Sequence, residues 1–79
     1  MQIEYRKEAA KHINKMDKSQ KSRLRDAIEK LPSGDVIKLQ GYTNDYRLRV
    51  GDLRVLFSML DDTIIIKDVL PRGKAYKRL

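Results

Sequence analysis

The sequence predicts an α+β fold of order βααβββ, in which an opening strand and two helices lead into a small antiparallel sheet. Three observations carry this. Met1, Ile3 and Tyr5 alternate with Gln2, Glu4 and Arg6, the period of a half-buried strand. Apolar residues between Lys7 and Leu31 recur at helical spacing in two runs. From Tyr46 to Phe57 the chain alternates on both sides of Gly51-Asp52, as the arms of a hairpin do.

Taken in order, the first helix covers about Lys7 to Met16, with Ala9, Ile13 and Met16 on one face and Ala10 on its flank. Asp17 followed three residues on by Gln20 resembles a capping box, and Leu24, Ala27, Ile28 and Leu31 then fall at i, i+3, i+4 and i+7. Pro32-Ser33-Gly34 ends this second helix. Its other face carries Lys18, Lys21, Arg25, Asp26 and Glu29, a mixture of signs that reads as solvated surface. Val36 to Leu39 is a short strand that the pattern leaves open, and Gly41 to Asp45 is turn-rich. Strands over Tyr46 to Val50 and Leu53 to Leu60 follow, the second placing Leu53, Val55, Phe57 and Met59 on a core face. After a turn at Asp61-Asp62, Thr63 to Leu70 returns as a β-branched strand apolar enough to lie centrally. A two-residue loop would point Asp68 to the core side with Ile64 and Ile66. A buried carboxylate there needs a partner, so the pattern also admits a bulge or a longer turn. Pro71-Arg72-Gly73 breaks the strand, and Lys74 to Leu79 is a short basic tail with Tyr76 in its first turn.

Seventy-nine residues correspond to a single domain, 1–79; a chain of this size buries only about 60% of the surface it exposes when unfolded. With 41% hydrophobic and 37% charged residues, it has material for one core beneath a charged exterior. Eighteen Lys and Arg against 11 Asp and Glu give a net charge of +7, which favours nucleic acid and acidic protein as partners. An anionic membrane surface fits less well, because no segment joins a long apolar face to an unbroken cationic one. The absence of cysteine removes disulfide scaffolds, thiolate metal sites and cysteine nucleophiles, and a single histidine without a tight carboxylate cluster leaves too few ligands for zinc. No metal or other cofactor is expected. The apolar run Ile64-Ile65-Ile66 is too short to span a bilayer and Met1 to Tyr5 is not a signal peptide, so a cytoplasmic location is expected.

The hairpin carries the chemistry. If Gly51-Asp52 is a two-residue turn, Val50 pairs with Leu53, Arg49 with Arg54, Leu48 with Val55 and Arg47 with Leu56. Like charges directly opposed on a sheet are unfavourable, so Arg49 facing Arg54, with Arg47 on the same face, points to an anionic ligand such as phosphate. RNA cleavage without a metal uses the neighbouring 2′-hydroxyl as nucleophile and needs a proton acceptor, a proton donor and cations at the phosphate. Arginine supplies the cations through its planar fork but is a poor base near neutrality. Tyr76, Lys74 and His12 remain for proton transfer, and Tyr76 near Arg72 is the chemically credible one, since nearby guanidinium groups lower a phenol's pKa. Each residue also has a purely structural reading. The arginine face could serve solubility and edge protection, Tyr76 could pack its ring at the surface, and Arg72 could be a surface cation. His12, between Ala9 and Met16, reads as a partly buried structural histidine.

Lys38-Leu39-x-Gly41, then Tyr46-Arg47-Leu48-Arg49 and Arg54-Val55-Leu56-Phe57, and finally Val69-x-x-Arg72-x-x-x-Tyr76, in this order after a strand and two helices, resemble the RelE/ParE toxin superfamily over essentially the whole chain. The resemblance implies a small antiparallel sheet flanked by the two N-terminal helices and the toxin half of a type II toxin–antitoxin pair. In its RelE branch it implies a ribosome-dependent mRNA endonuclease (mRNA interferase), a metal-independent endoribonuclease that enters the ribosomal A site and inhibits translation. It places the basic strand residues on Arg47 and Arg49, the hairpin arginine on Arg54, the C-terminal arginine on Arg72 and the tyrosine on Tyr76. The expected roles are Tyr76 as general base, Arg72 as charge stabiliser and proton donor, and Arg54, Arg47 and Arg49 as phosphate ligands, with Lys74 as an additional cation. The best-known RelE branch has lysines where this chain has Arg47 and Arg49, which keeps phosphate binding but leaves the base open. The tail after Tyr76 is short as well, three residues. Expected partners are a cognate antitoxin, the ribosome and mRNA, with no membrane and no metal. The alternatives are a ParE-like DNA gyrase poison acting by binding, or a non-toxic basic module for RNA or protein.

Overall fold

The computed structural model describes residues 2–39 and 45–71. Strand β1 (Gln2–Tyr5) is followed by helices α1 (Lys7–Asn14) and α2 (Lys18–Glu29), then by strands β2 (Val36–Lys38), β3 (Asp45–Val50), β4 (Leu53–Leu60) and β5 (Thr63–Pro71). The five strands form one sheet in the order β1-β5-β4-β3-β2. The fold is α+β as expected, and β5 is interior, as its run of Ile and Val requires.

Local signals set most boundaries. Asp17 caps α2, its side chain accepting from the Gln20 amide at 2.7 Å. Gly51 takes φ +58° at the first position of the β3–β4 turn, a conformation open to glycine and costly for residues with a Cβ. Asp61 takes φ +53° in the β4–β5 turn, which short polar residues tolerate best among the others.

The sheet is antiparallel except at β1, which pairs parallel to β5 from Gln2↔Thr63 to Tyr5↔Ile66. No turn joins those two strands, so the pairing is set by tertiary packing. Because β1 and β2 sit at opposite edges, the two helices between them must cross one face of the sheet. They bury that face: Ala9, Leu24, Ile28 and Leu31 pack with Leu48, Val50, Val55, Phe57, Ile64, Ile66 and Val69. Phe57 is fully buried and stacks on Tyr46, its cross-strand partner, with ring centroids 5.5 Å apart.

The irregularity suspected around Asp68 is present. Leu56 pairs with Asp68 but Phe57 pairs with Ile66, so Lys67 is the extra residue of a β-bulge. The bulge lets Ile64, Ile66 and Val69 all enter the helix-covered core. Asp68 is thereby turned to the opposite face, in register with Leu56.

Candidate functional site

The hairpin register is the one the alternation implies: Arg49 stands opposite Arg54, and Arg47 opposite Leu56. On the face opposite α1 and α2, which carries no helix among the described residues, these residues continue outward, Arg47 to Ile37 of β2 and Arg54 to Leu70 of β5. Leu39, Leu56 and Leu70 make a second, smaller apolar cluster on this face. The arginines lie among those leucines and are not simply solvated: Arg47 is 8% exposed and Arg54 7%. Arg49 is open, with 56% of its side chain accessible.

Their hydrogen bonding leaves positive charge uncompensated. Arg54 Nη1 donates to the carbonyl oxygens of Gly51 (3.1 Å) and Leu53 (3.0 Å), neutral acceptors, and no carboxylate meets it among the described residues. Asp35 bonds Arg49, with Nε to Oδ2 at 2.6 Å, and stands 3.9 Å from Arg47 Nη1. Arg47 Nε is buried without a hydrogen-bond partner among the described residues. Among the described residues one half-exposed carboxylate therefore serves two guanidinium groups, and a third has none. Burying a guanidinium without a full set of acceptors is costly, and an anion with several oxygens can supply the acceptors that the described residues do not. Asp35 is itself held by the backbone. The Arg49 amide donates to its carbonyl at 3.0 Å, and Gly34 before it takes φ +116° with a Cβ position only 3.1 Å from Leu48 Cδ1, so only glycine fits there without displacement.

A second polar group adjoins the arginines along the same face. Asp45 Oδ1 accepts from Ser58 Oγ at 2.6 Å and from Lys67 Nζ at 3.3 Å. Farther along, Asp68 Oδ1 accepts from the Val69 amide at 2.8 Å and lies 2.6 Å from His12 Nδ1 on α1. Among the described residues no three His, Cys, Asp or Glu side chains stand together as metal ligands, and no helix is long and apolar enough to cross a membrane.

No protein-family model matches the chain. Toxin RelE3 of Methanocaldococcus jannaschii is 45% identical over 42 residues, 53% of this chain, and the match spans only 48% of that relative's length. Among solved structures, the archaeal RelE–RelB complex from Pyrococcus horikoshii OT3 contains a chain 33% identical to this one, with a TM-score of 0.74, covering 92% of this chain and 96% of its own. The chain belongs to the RelE-like toxin superfamily. The RelB–RelE antitoxin–toxin complex from Methanococcus jannaschii superposes on this RelE-like chain with a TM-score of 0.80 at 28% identity, over 96% of this chain and 98% of the other.

In this RelE-like sheet the expected phosphate ligands Arg47, Arg49 and Arg54 share one face and adjoin each other. Arg72, Lys74 and Tyr76 lie outside the described residues, as does Gly41. Sequence reasoning missed two features. Asp35 as counter-ion has no signal in the pattern, since it follows a breaker and reaches the arginines only after β2 pairs with β3. The bond from His12 to Asp68 spans 56 positions; its only trace was the suspicion that Asp68 needs a partner.

Proposed function

We propose that this chain is the toxin of a type II toxin–antitoxin system and acts as a ribosome-dependent, metal-independent mRNA endonuclease that inhibits translation. The observation that carries the reading is the buried guanidinium pair on the face opposite α1 and α2, Arg47 and Arg54, with, among the described residues, one buried nitrogen unpartnered and one charge met by carbonyl oxygens alone. A phosphodiester passing from ground state to the dianionic phosphorane gains charge on its oxygens, and groups prearranged in a partly desolvated setting stabilise that change most. Arg54 contacts the reacting phosphate in this reading, and Arg47 and Arg49 hold it and its neighbour, with Asp35 giving up Arg49 as RNA binds. Tyr76 is assigned as general base toward the 2′-hydroxyl, Arg72 as charge stabiliser, and Lys74 as a further phosphate ligand.

The relatives solved as RelE with RelB support a cognate antitoxin for this chain too. A net charge of +7 calls for an acidic or amphipathic covering segment. The work site would be the cytoplasm, where ribosomes and mRNA are. Primer extension on mRNA, with and without translating ribosomes, tests the reading. Wild-type protein should produce new 5′ ends only with ribosomes, and Tyr76→Phe and Arg54→Ala should not, while both remain folded. Wild-type cleavage by both variants would overturn the site assignment. Trapped gyrase–DNA breaks with intact mRNA would overturn the nuclease reading itself.

A further inference from the structure

We propose that His12, held by Asp68, is the proton donor to the leaving 5′-oxygen in RNA cleavage. The inference rests on the nuclease reading and supplies what its arginines cannot: a guanidinium with a pKa above about 12 is a poor proton donor near neutrality. An imidazole gives and takes a proton in the physiological range.

Three observations carry the assignment. Asp68 is buried, 7% of its side chain being exposed, and fixes His12 through Nδ1 at 2.6 Å. A carboxylate on one ring nitrogen orients the imidazole and leaves Nε2 for a substrate. His12 keeps 35% of its side chain exposed, and no described residue engages Nε2. Second, Asp68, Leu56 and Arg47 form one cross-strand row, so the backbone of Asp68 is two strand spacings from that of Arg47, about 10 Å. Arg54 faces Leu70, two residues beyond Asp68. Third, a cavity of about 340 Å³ opens beside Asp68, lined also by Leu39 and Leu56, by the cations Arg6 and Lys67 and by the carboxylates Glu8 and Asp45. It offers the nucleoside on the leaving side an apolar floor with polar groups of both signs at its rim.

The step balances. The 2′-hydroxyl proton passes to the base, the 2′-oxygen bonds to phosphorus, and the bond from phosphorus to the 5′-oxygen breaks. His12 Nε2–H then gives its proton to that oxygen, leaving a 2′,3′-cyclic phosphate, a 5′-hydroxyl and a neutral imidazole that is reprotonated from water.

The test compares His12→Gln with wild type on two short synthetic mRNAs bound in ribosomes. One is ordinary, and the other carries sulfur in place of the bridging 5′-oxygen at the cleavage position. A thiolate leaves without a proton, so the variant should lose about 100- to 10,000-fold on the ordinary message and cut the sulfur-substituted one within a few-fold of wild type. Equal loss on both substrates would mark His12 as a purely structural staple between α1 and the sheet and overturn the proposal. So would wild-type rates on both. If wild-type protein cuts neither message, the nuclease reading fails and this inference with it. Loss by Arg54→Ala alongside undiminished His12→Gln would remove only the present proposal. Asp68→Asn, which keeps the side chain's shape, should show the same substrate dependence in weaker form.

Discussion

A buried guanidinium whose acceptors are carbonyl oxygens is an arrangement that folding alone would not favour. Among the described residues Arg54 is in that position, which on the proposed reading separates stability from function at a single residue. Arg54→Met keeps an unbranched stem and discards the charge. We expect its unfolding free energy from urea denaturation to stay level or to rise, by on the order of 1 kcal/mol, while cleavage is lost. A loss of stability of more than about 2 kcal/mol would show that the charge is satisfied by the fold and contradict the account. Tyr5 offers an independent check at this scale. Burial, and secondarily Glu29, pushes its phenol above its ordinary value of 10.0, against the opposing pull of Arg25. The folded state thus holds this proton more tightly than the unfolded chain. The stability tied to it is intact below pH 10 and falls as pH rises through the higher folded value. Thermal midpoints between pH 9 and pH 11.5, values set around the reference phenol pKa of about 10, should drop more steeply for wild type than for Tyr5→Phe. Parallel curves would refute the link.

Among the elements, what was legible in the sequence followed from local chemistry. Gly51-Asp52 pins the register of β3 against β4, so the opposition of Arg49 and Arg54 could be read from twelve residues. Asp68 could be read as a misfit in an otherwise apolar alternation, and the structure answers it with a bulge at Lys67. The parallel docking of β1 on β5 was not legible, because 57 residues separate Tyr5 from Thr63 and no turn connects the two strands. Nor was the burial of Arg47 and Arg54. The leucines that cover them, Leu39, Leu56 and Leu70, come from separate parts of the chain and meet only once the whole sheet has formed. The assigned roles of Arg72 and Tyr76 rest on their side-chain chemistry and the resemblance, and that of Lys74 on its charge; all three residues fall outside 2–39 and 45–71. The capping bond of α2 is a prediction that belongs here. Asp17→Ala removes the acceptor for the Gln20 amide and should cost about 1 kcal/mol in chemical denaturation. Asp17→Ser should recover most of it. No loss in the alanine variant would mean that the helix end is satisfied otherwise.

Among the described residues two helices close one face of the sheet and leave the other to arginines and the leucines of a second cluster, in a chain of net charge +7. Three arginines engaging phosphates should give a log–log salt dependence of RNA binding with a slope near −2, at roughly 0.7 per neutralised phosphate on single strands. On the proposed reading Asp35, which bonds Arg49 and stands near Arg47, competes with RNA for both. Asp35→Asn should therefore bind a short RNA more tightly at low salt, with little change in stability, as the salt bridges are solvent-exposed on the carboxylate side. Weaker binding would instead make Asp35 a residue that positions the arginines. The most direct measurement is the mapping of mRNA 5′ ends in translating ribosomes by primer extension, with wild-type protein beside Arg54→Met and Arg47→Met. The account predicts codon-level cuts that require the ribosome and vanish in both folded variants. Cuts of undiminished strength in those variants would place the chemistry away from the face opposite α1 and α2 and contradict it.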